Sequence, residues 1–349
     1  MLRRAGLSQK VRPFVLPGVE RVLHARWQLM FRRAPVLTLE QHVEQVGLKD
    51  IEQPLPCPLC GSRTIQPLMH PERPGRWVYH VVRCTGCGFL YRHPGIRPER
   101  LGELYAGKYG AFLTGRYAAK RRARYEQALD RYSPLFDDGR GRRLLDFGCG
   151  AGLFLELAHA RGFEGYGVDL SPDAVIRAHR KKSGRRTYVG RPQDVPEIAA
   201  GGFDVVTMWS VMAHLATPVE DLTTLRRLLR PDGMLVILTV NADSLLLKRD
   251  RGSWGGFTPN HLMFYSPATL RELLRQAGFG AVVVRSLHGH AVEAGTIGMP
   301  PVVRRRLDAV TARGEQANML DVVAFADPEG AARLGLERDE SPAAAVGAR

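Results

Sequence analysis

The sequence has few cysteines, no long apolar run and a shortage of acidic side chains. Five cysteines in 349 residues are too few for a disulfide framework, and four of them form two Cys-x-x-Cys pairs of the kind that bind metals. The longest apolar runs have the length of a strand, which predicts no transmembrane segment. The first residues lack the apolar core and cleavage site of a signal peptide. We therefore expect a cytoplasmic protein.

The shortage of acidic residues gives the chain a formal net charge of +15, from 50 basic and 35 acidic side chains. Such a charge attracts nucleic acid or an anionic membrane. However, the abundance of arginine, alanine, glycine and proline is also typical of GC-rich coding. Aromatic residues are not interleaved with the basic clusters, as a base-stacking surface requires. Composition therefore favours the coding explanation and leaves a nucleic-acid partner as the weaker alternative.

A glycine-rich stretch at residues 144–152 organises the rest of the chain. An apolar run ends in Asp146, the glycines Gly148, Gly150 and Gly152 follow, and a helical pattern begins at Leu153. The Gly-x-Gly-x-Gly spacing differs from the Gly-x-Gly-x-x-Gly of dinucleotide sites. A carboxylate in the loop would repel a pyrophosphate but suits a ligand that carries an ammonium or sulfonium group. We therefore predict that S-adenosylmethionine binds here.

The residues that follow the next two strands complete the predicted cofactor site. The second strand ends in Asp169, seventeen residues after the glycine loop, and a carboxylate at this distance suits the hydroxyl groups of a ribose. Asp194 follows the third strand and would accept the adenine amino group, although it could instead cap a helix or be a solvated loop acid. Leu170 and Val195 would enclose the adenine ring.

Alternating strand and helix patterns continue from residue 142 to residue 326 and predict a parallel, doubly wound α/β sheet. Predicted strands cover residues 142–147, 165–169, 186–190, 203–209, 234–240, 281–286 and 319–326. Helix starts are marked by hydroxyl residues before proline, and Thr217 with Glu220 forms the pattern of a capping box. Ligands of such a sheet bind beyond the carboxyl ends of the strands.

The glycine loop and several later blocks resemble the class I S-adenosylmethionine-dependent methyltransferases. The blocks lie at residues 203–206, 214–215, 228–233, 239–241 and 261–279. The resemblance covers about residues 55–326 and implies a Rossmann-like seven-stranded sheet of order 3-2-1-4-5-7-6, with the last strand antiparallel. It also implies that a helical segment before the glycine strand covers the cofactor, and Tyr109 is the candidate lid residue.

Two cysteine knuckles precede this domain. Cys57 and Cys60 form the first pair, and Cys84 and Cys87 form the second. Four thiolates suit tetrahedral Zn²⁺ in a closed, structural site, whereas a redox pair or a ribbon that has lost its metal are the alternatives. The arrangement is similar to an N-terminal zinc-ribbon subgroup of methyltransferases that act on sugars, cell-surface glycans and secondary metabolites.

The predicted domain organisation has five parts. Residues 1–50 form a basic extension, 51–96 the zinc ribbon, 97–138 a helical linker or lid, 139–330 the cofactor-binding domain and 331–349 a disordered tail. Within the extension, apolar residues recur at helical spacing between 18 and 33. This pattern favours packing against the same chain or a homodimer partner, and a basic amphipathic helix can also associate weakly with a membrane surface.

Two histidines are expected near the cleft, and either could act as a general base. They are His214, after the fourth strand, and His261. Ser210 and Ala213 stand where the family usually has acidic residues. The predicted function is methyl transfer from S-adenosylmethionine to a hydroxyl of a sugar, glycan or secondary metabolite. An RNA-base methyltransferase and a non-catalytic scaffold of the same fold are the alternatives.

Overall fold

The computed structural model of the protein describes residues 19–69, 80–105, 115–132, 139–181, 186–251, 254–287 and 317–333. The predicted lid residue Tyr109 and nearly all of the predicted C-terminal tail lie outside these ranges. Within them, no helix combines the length and the apolar character needed to cross a bilayer.

The strands fall into an N-terminal group and a larger C-terminal group. The first group is β1 Leu37–Thr38, β2 Glu52–Gln53, β3 Thr64–Met69, β4 Val81–Cys84, β5 Leu90–Arg92 and β6 Gly95–Ile96. The second group is β7 Arg143–Phe147, β8 Glu164–Asp169, β9 Thr187–Val189, β10 Phe203–Trp209, β11 Leu229–Val240, β12 Met263–Phe264, β13 Ala281–Leu287 and β14 Met319–Phe325.

Helices precede the large sheet and connect its strands. They are α1 Val19–Arg33, α2 Leu39–Val46, α3 Gly115–Tyr132, α4 Leu153–Ala160, α5 Pro172–His179, α6 Pro196–Ala199, α7 Pro218–Leu228, α8 Leu245–Asp250, α9 Pro267–Gln276 and α10 Gly330–Arg333. Ser171 and Ser266 cap α5 and α9 as the sequence predicts. The predicted capping box at α7 is wrong, because the Thr217 hydroxyl donates to Asp221 and caps no backbone amide.

The central sheet has seven strands in the order β13-β14-β11-β10-β7-β8-β9. This is the order that the resemblance implies. Strand β14 runs antiparallel to both of its neighbours, while β7 to β11 pair in parallel. All seven residues of β10 and of β14 are buried, because helices and connecting segments cover both faces of the sheet. The predicted fold class is therefore confirmed.

A smaller sheet has the order β1-β3-β4-β5-β12 and carries the cysteine knuckles. Its last strand comes from the loop before α9. Strand β12 pairs with β5 through Met263 with Tyr91 and Phe264 with Leu90. Two segments more than 160 residues apart in the sequence thus share one sheet, and the loop that contains His261 is attached to the cysteine-bearing module.

The N-terminal helix α1 packs against the same chain. Trp27 and Phe31 are buried, and their cluster includes Leu246 and Leu247 of α8 and Phe264 of β12. Helix α1 therefore packs against its own chain, which is the arrangement that the apolar spacing favours. The other side of the helix remains open to solvent, where the side chains of Val22 and Leu29 are exposed.

Candidate active site and cysteine cluster

The glycine loop turns tightly between β7 and α4 at the carboxyl edge of the sheet. Gly148, Gly150 and Gly152 all have left-handed φ angles of 76°, 54° and 70°, which favour glycine over residues with a side chain. The loop is also closely packed, since a Cβ on Gly148 would lie 2.5 Å from Val211 Cγ2. These positions therefore need glycine for their backbone angles, and Gly148 needs it also for space.

Asp169 at the end of β8 is bonded to the glycine loop. One carboxylate oxygen accepts from the Gly150 amide at 2.8 Å, and the other accepts from the Ser171 amide at 2.9 Å. The side chain is half-buried. A carboxylate is an acceptor of the kind that the hydroxyl groups of a ribose require. The structure thus brings Asp169 and the glycine loop together, as the sequence predicts.

Asp146 lies beneath the glycine loop and is almost completely buried. Its carboxyl group accepts a hydrogen bond from the Thr207 hydroxyl at 2.8 Å. Burial and, to a lesser extent, the nearby negative charge of Asp169 raise the pKa of Asp146 to about 7. The hydrogen bond from Thr207 opposes this shift. A cationic group in the loop would offset this penalty and favour the ionised carboxylate.

The three residues predicted to hold adenine lie beyond the ends of β8 and β9, two strands that pair in parallel. Leu170 is half-buried and Val195 is buried, while Asp194 is exposed in a short 3₁₀ turn. Asp194 does not cap the following helix, because its N-cap residue is Val195 and has no side-chain cap. The capping alternative for Asp194 is thus excluded, and its role toward adenine stays a prediction.

Tyr105 lies at the site although the sequence analysis selected Tyr109. Its hydroxyl is buried and has no hydrogen-bond partner among the described residues. Burial, and then the negative charge of Asp169, raise its pKa above the usual range. Its ring meets that of His214 edge-on, with centroids 5.8 Å apart. No sequence signal distinguishes the two tyrosines, which are four residues apart in one short segment.

The two predicted histidines lie against each other, with ring centroids 4.8 Å apart. His214 Nδ1 lies 2.8 Å from the Asn260 carbonyl, and His261 Nδ1 lies 2.6 Å from the Gly256 carbonyl. Because a carbonyl only accepts, we assign the proton of each neutral ring to Nδ1 and the lone pair to Nε2, and a second backbone carbonyl, that of Ser210, also acts on His214. Burial lowers the pKa of His214, and burial with the His214 charge lowers that of His261 to about 3.

Helix α3 contributes a residue that the sequence analysis missed. Tyr125 packs edge-on against Phe154 and lies against Trp209, with centroids 5.4 and 5.5 Å away. Burial raises its pKa to about 12, and Asp146 is among the charges that act on it. The helix therefore lies close to the glycine loop. The sequence pattern predicts a helix at residues 118–132. Placing Tyr125 of that helix near the site would also have required knowledge of the strand order.

The four knuckle cysteines form one cluster. Their sulfur atoms all lie within 4.8 Å of one another, and two pairs, Cys57 with Cys87 and Cys60 with Cys84, are 3.5 Å apart. Zn–S bonds of about 2.3 Å in a tetrahedron place sulfur atoms about 3.8 Å apart. Each knuckle closes through a glycine amide that donates to the first cysteine's carbonyl. The cluster geometry therefore suits a zinc ion.

Comparison with known proteins agrees with this description of the sheet. Residues 117–284 match a family described as "Methyltransferase domain". The chain is 35% identical over 154 residues to a "Ubiquinone biosynthesis O-methyltransferase" of Cereibacter sphaeroides, covering 41% of this chain and 62% of the relative. A protein of the same description from Aromatoleum aromaticum is 30% identical, with 40% and 64% covered. The chain thus spans less than two thirds of these curated relatives.

Among solved structures, a SAM-dependent methyltransferase from Archaeoglobus fulgidus is similar, with a TM-score of 0.42 and 20% identity. The similarity covers 58% of this chain and 94% of that one. The family match, which includes the glycine loop and both acidic strand ends, is the finding that identifies the domain. We conclude that residues 117–284 form a domain of the methyltransferase type.

Proposed function

We propose that the protein transfers the methyl group of S-adenosylmethionine to a hydroxyl of a small molecule, such as a sugar, a glycan or a secondary metabolite. One observation carries the proposal. The glycine loop, with Asp169 bonded to it, lies at the same edge of the sheet as the pair of His214 and His261. Tyr105 lies between them, because its ring contacts His214 and the charge of Asp169 acts on its hydroxyl. The names of the relatives, which refer to O-methylation in ubiquinone biosynthesis, support an oxygen acceptor.

The cofactor would be held by groups that the structure brings together. Asp169 would accept from the ribose hydroxyls while it keeps its two backbone bonds. The ionised form of Asp146 would be favoured by the positive charge of the ligand. Leu170, Asp194 and Val195 would contact the adenine. When bound, S-adenosylmethionine supplies a methyl group on a good leaving group, so the protein has mainly to orient the acceptor.

His214 is the better of the two candidate bases. Its Nδ1 donates to a backbone carbonyl, which directs the lone pair of Nε2 away from that carbonyl. Because burial lowers its pKa, the ring is neutral at pH 7 and can accept the proton of an acceptor hydroxyl. His261, with a pKa of about 3, holds a proton less readily. We assign it the role of orienting His214 and the acceptor.

We also propose that the four cysteines bind one structural Zn²⁺. Four ligands close a tetrahedral site and leave no position for a substrate, so the metal would stabilise the small sheet without taking part in methyl transfer. Metal analysis of the purified protein should give one zinc per chain. Retention of zinc by a Cys84→Ser variant at full stoichiometry would contradict this assignment.

Calorimetric titration with S-adenosylmethionine tests the main proposal. The unaltered protein should bind it, and Asp169→Ala should weaken binding by more than tenfold, because the ribose partner and a loop bond are lost. Asp173→Ala, an exposed acid on the neighbouring helix, is the matched control and should bind normally. No binding by folded protein would leave the scaffold alternative. A salt-dependent shift of RNA by the protein would favour an RNA acceptor.

A further inference from the structure

A cavity of about 150 Å³ lies between α1, the cysteine-bearing sheet and the segment after β11. None of the residues of the predicted cofactor site lines it. Its apolar walls are Trp27, Phe31, Leu90 and Phe264, each less than 9% exposed. A dry cavity of about 150 Å³ can hold a benzene ring. The space therefore suits one six-membered ring between aromatic walls.

The cavity also has one well-positioned cation, Arg83. Its guanidinium lies 4.7 Å from the centre of the Phe31 ring, and Nη1 donates to Gln66 Oε1 at 3.3 Å. The Gln66 amide is itself fixed, because its Nε2 donates to two backbone carbonyls of the α1 end. Arginine has five N–H donors, and only one of those on Arg83 is bonded within the described part of the chain.

The charge balance at the cavity is positive. No carboxylate among the described residues lies within 4.0 Å of Arg83, and the other charged lining residue, Asp243, is already paired with the buried Lys248 at 2.7 Å. Gly88 leaves space next to the guanidinium, since a Cβ there would lie 3.4 Å from Nη2. An anion that can accept two parallel hydrogen bonds, such as a carboxylate or a phosphate, is the partner that such a cation binds best.

The cavity is close to the predicted reaction centre. Ala242 and Asp243 follow β11 at the carboxyl edge of the sheet, and the Phe264 ring lies 6.4 Å from that of His261, which in turn contacts His214. Phe264 thus lies between the cavity and His261, and an acceptor anchored at Arg83 would have to extend past this ring to reach the two histidines.

We propose that this cavity binds the anionic end of the methyl acceptor, a small ring compound that carries a carboxylate or a phosphate. The inference rests on the proposed methyltransferase function and adds to it the charge and shape of the substrate. Arg83 pairs with the anion, while Trp27 and Phe264 enclose the ring. Arg83 would pair with a carboxylate and with a phosphate in the same way. The relative affinities of a carboxylate probe and a phosphate probe decide which of the two anions the cavity prefers.

The test uses the full-length, zinc-loaded protein and three probes: benzoate, phenyl phosphate and the neutral benzyl alcohol. Binding is measured by calorimetry or ligand-detected NMR, with S-adenosylmethionine binding measured on the same samples. We expect the better anion to bind at least tenfold more tightly than benzyl alcohol. Arg83→Gln should remove this preference, whereas Arg63→Gln, an exposed arginine beside the same sheet, should keep it.

A second variant covers the case in which Arg83→Gln disturbs the adjacent cysteine knuckle. Ala242→Leu fills the cavity from the opposite wall, retains Arg83 and should abolish the binding of all three probes. Equal affinity for the acids and the alcohol, or anion binding unchanged in both variants, would overturn the inference. Lack of S-adenosylmethionine binding would refute the methyltransferase proposal instead, whatever the probes do.

Discussion

Removing either partner of the buried ion pair between Arg92 and Glu52 should cost the protein several kilocalories per mole. Both side chains are at most 5% exposed, and Arg92 Nη2 lies 2.5 Å from Glu52 Oε1. Arg92 Nη1 also donates to the Pro259 carbonyl at 2.8 Å, and the Arg92 amide donates to the Leu262 carbonyl at 2.7 Å. One residue thus joins the small sheet to the loop that carries His261.

Replacement of Arg92 by Met should lower the free energy of unfolding by about 3 kcal/mol, because it removes the nearest cation from the buried Glu52 carboxylate, which keeps the Lys49 amide at 3.0 Å and the Lys49 ammonium at 3.9 Å. Glu52→Met should cost a similar amount by leaving Arg92 charged and buried. The double variant removes both charges together, so its loss should be well below the sum of the two single losses. Arg63→Met, which breaks an exposed pair with Glu40, should leave stability nearly unchanged, because solvent screens such a pair.

Urea unfolding, followed by intrinsic fluorescence, measures all four free energies. A double variant whose loss equals the sum of the single losses would show that the two side chains act independently, and the reasoning would then fail. The Arg92→Met protein offers a second readout. It should bind S-adenosylmethionine normally but methylate acceptors more slowly, because only the His261 loop loses a contact. Weakened binding of S-adenosylmethionine would contradict the idea that Arg92 supports the His261 loop and not the cofactor site.

Three further predictions concern the cofactor loop and the cysteines. Because the folded pKa of Asp146 is raised to about 7, its proton is lost from the unfolded chain first, so the free energy of unfolding should fall by about 3 kcal/mol between pH 4 and pH 7. Urea unfolding across this range should show a flatter profile for Asp146→Asn, and an unchanged profile would contradict the assignment. Gly167→Ala should destabilise the domain by about 1–3 kcal/mol, since its Cβ would lie 2.8 Å from Cys149; a neutral effect on thermal unfolding would refute this. Chelation of zinc, followed by circular dichroism and calorimetry, should disorder the small sheet while cofactor affinity is retained.

The strands of the large sheet could be anticipated because each of them has a strong local signal. Strands β10 and β14 are largely apolar and buried throughout, and prolines after hydroxyl residues mark several helix starts. The resemblance then supplied the strand order, which local patterns do not contain. The cysteine cluster was also predictable, since the spacing within each knuckle limits where its sulfur atoms can lie.

Contacts between distant segments could not be read from local patterns. Strand β12 is only two residues long, too short for any periodicity, and its pairing with β5 depends on tertiary packing. The Arg92–Glu52 pair and the cavity beside Arg83 join segments that carry no shared sequence signal. The predicted cofactor-binding and catalytic residues within the described ranges lie at one edge of the sheet. Their roles stay predictions.

The pairing of β5 with β12 has a consequence for the order in which the chain is made. On a ribosome that adds about 5–20 residues per second, roughly 10–30 s separate the emergence of Arg92 from that of Phe264. During this time the β5 edge has no partner strand, although an open strand edge invites pairing with other chains. The cysteine-bearing module is therefore exposed to misassembly until the downstream domain is nearly complete. A fragment that ends before residue 263 should keep that exposed edge permanently and aggregate more than the whole chain.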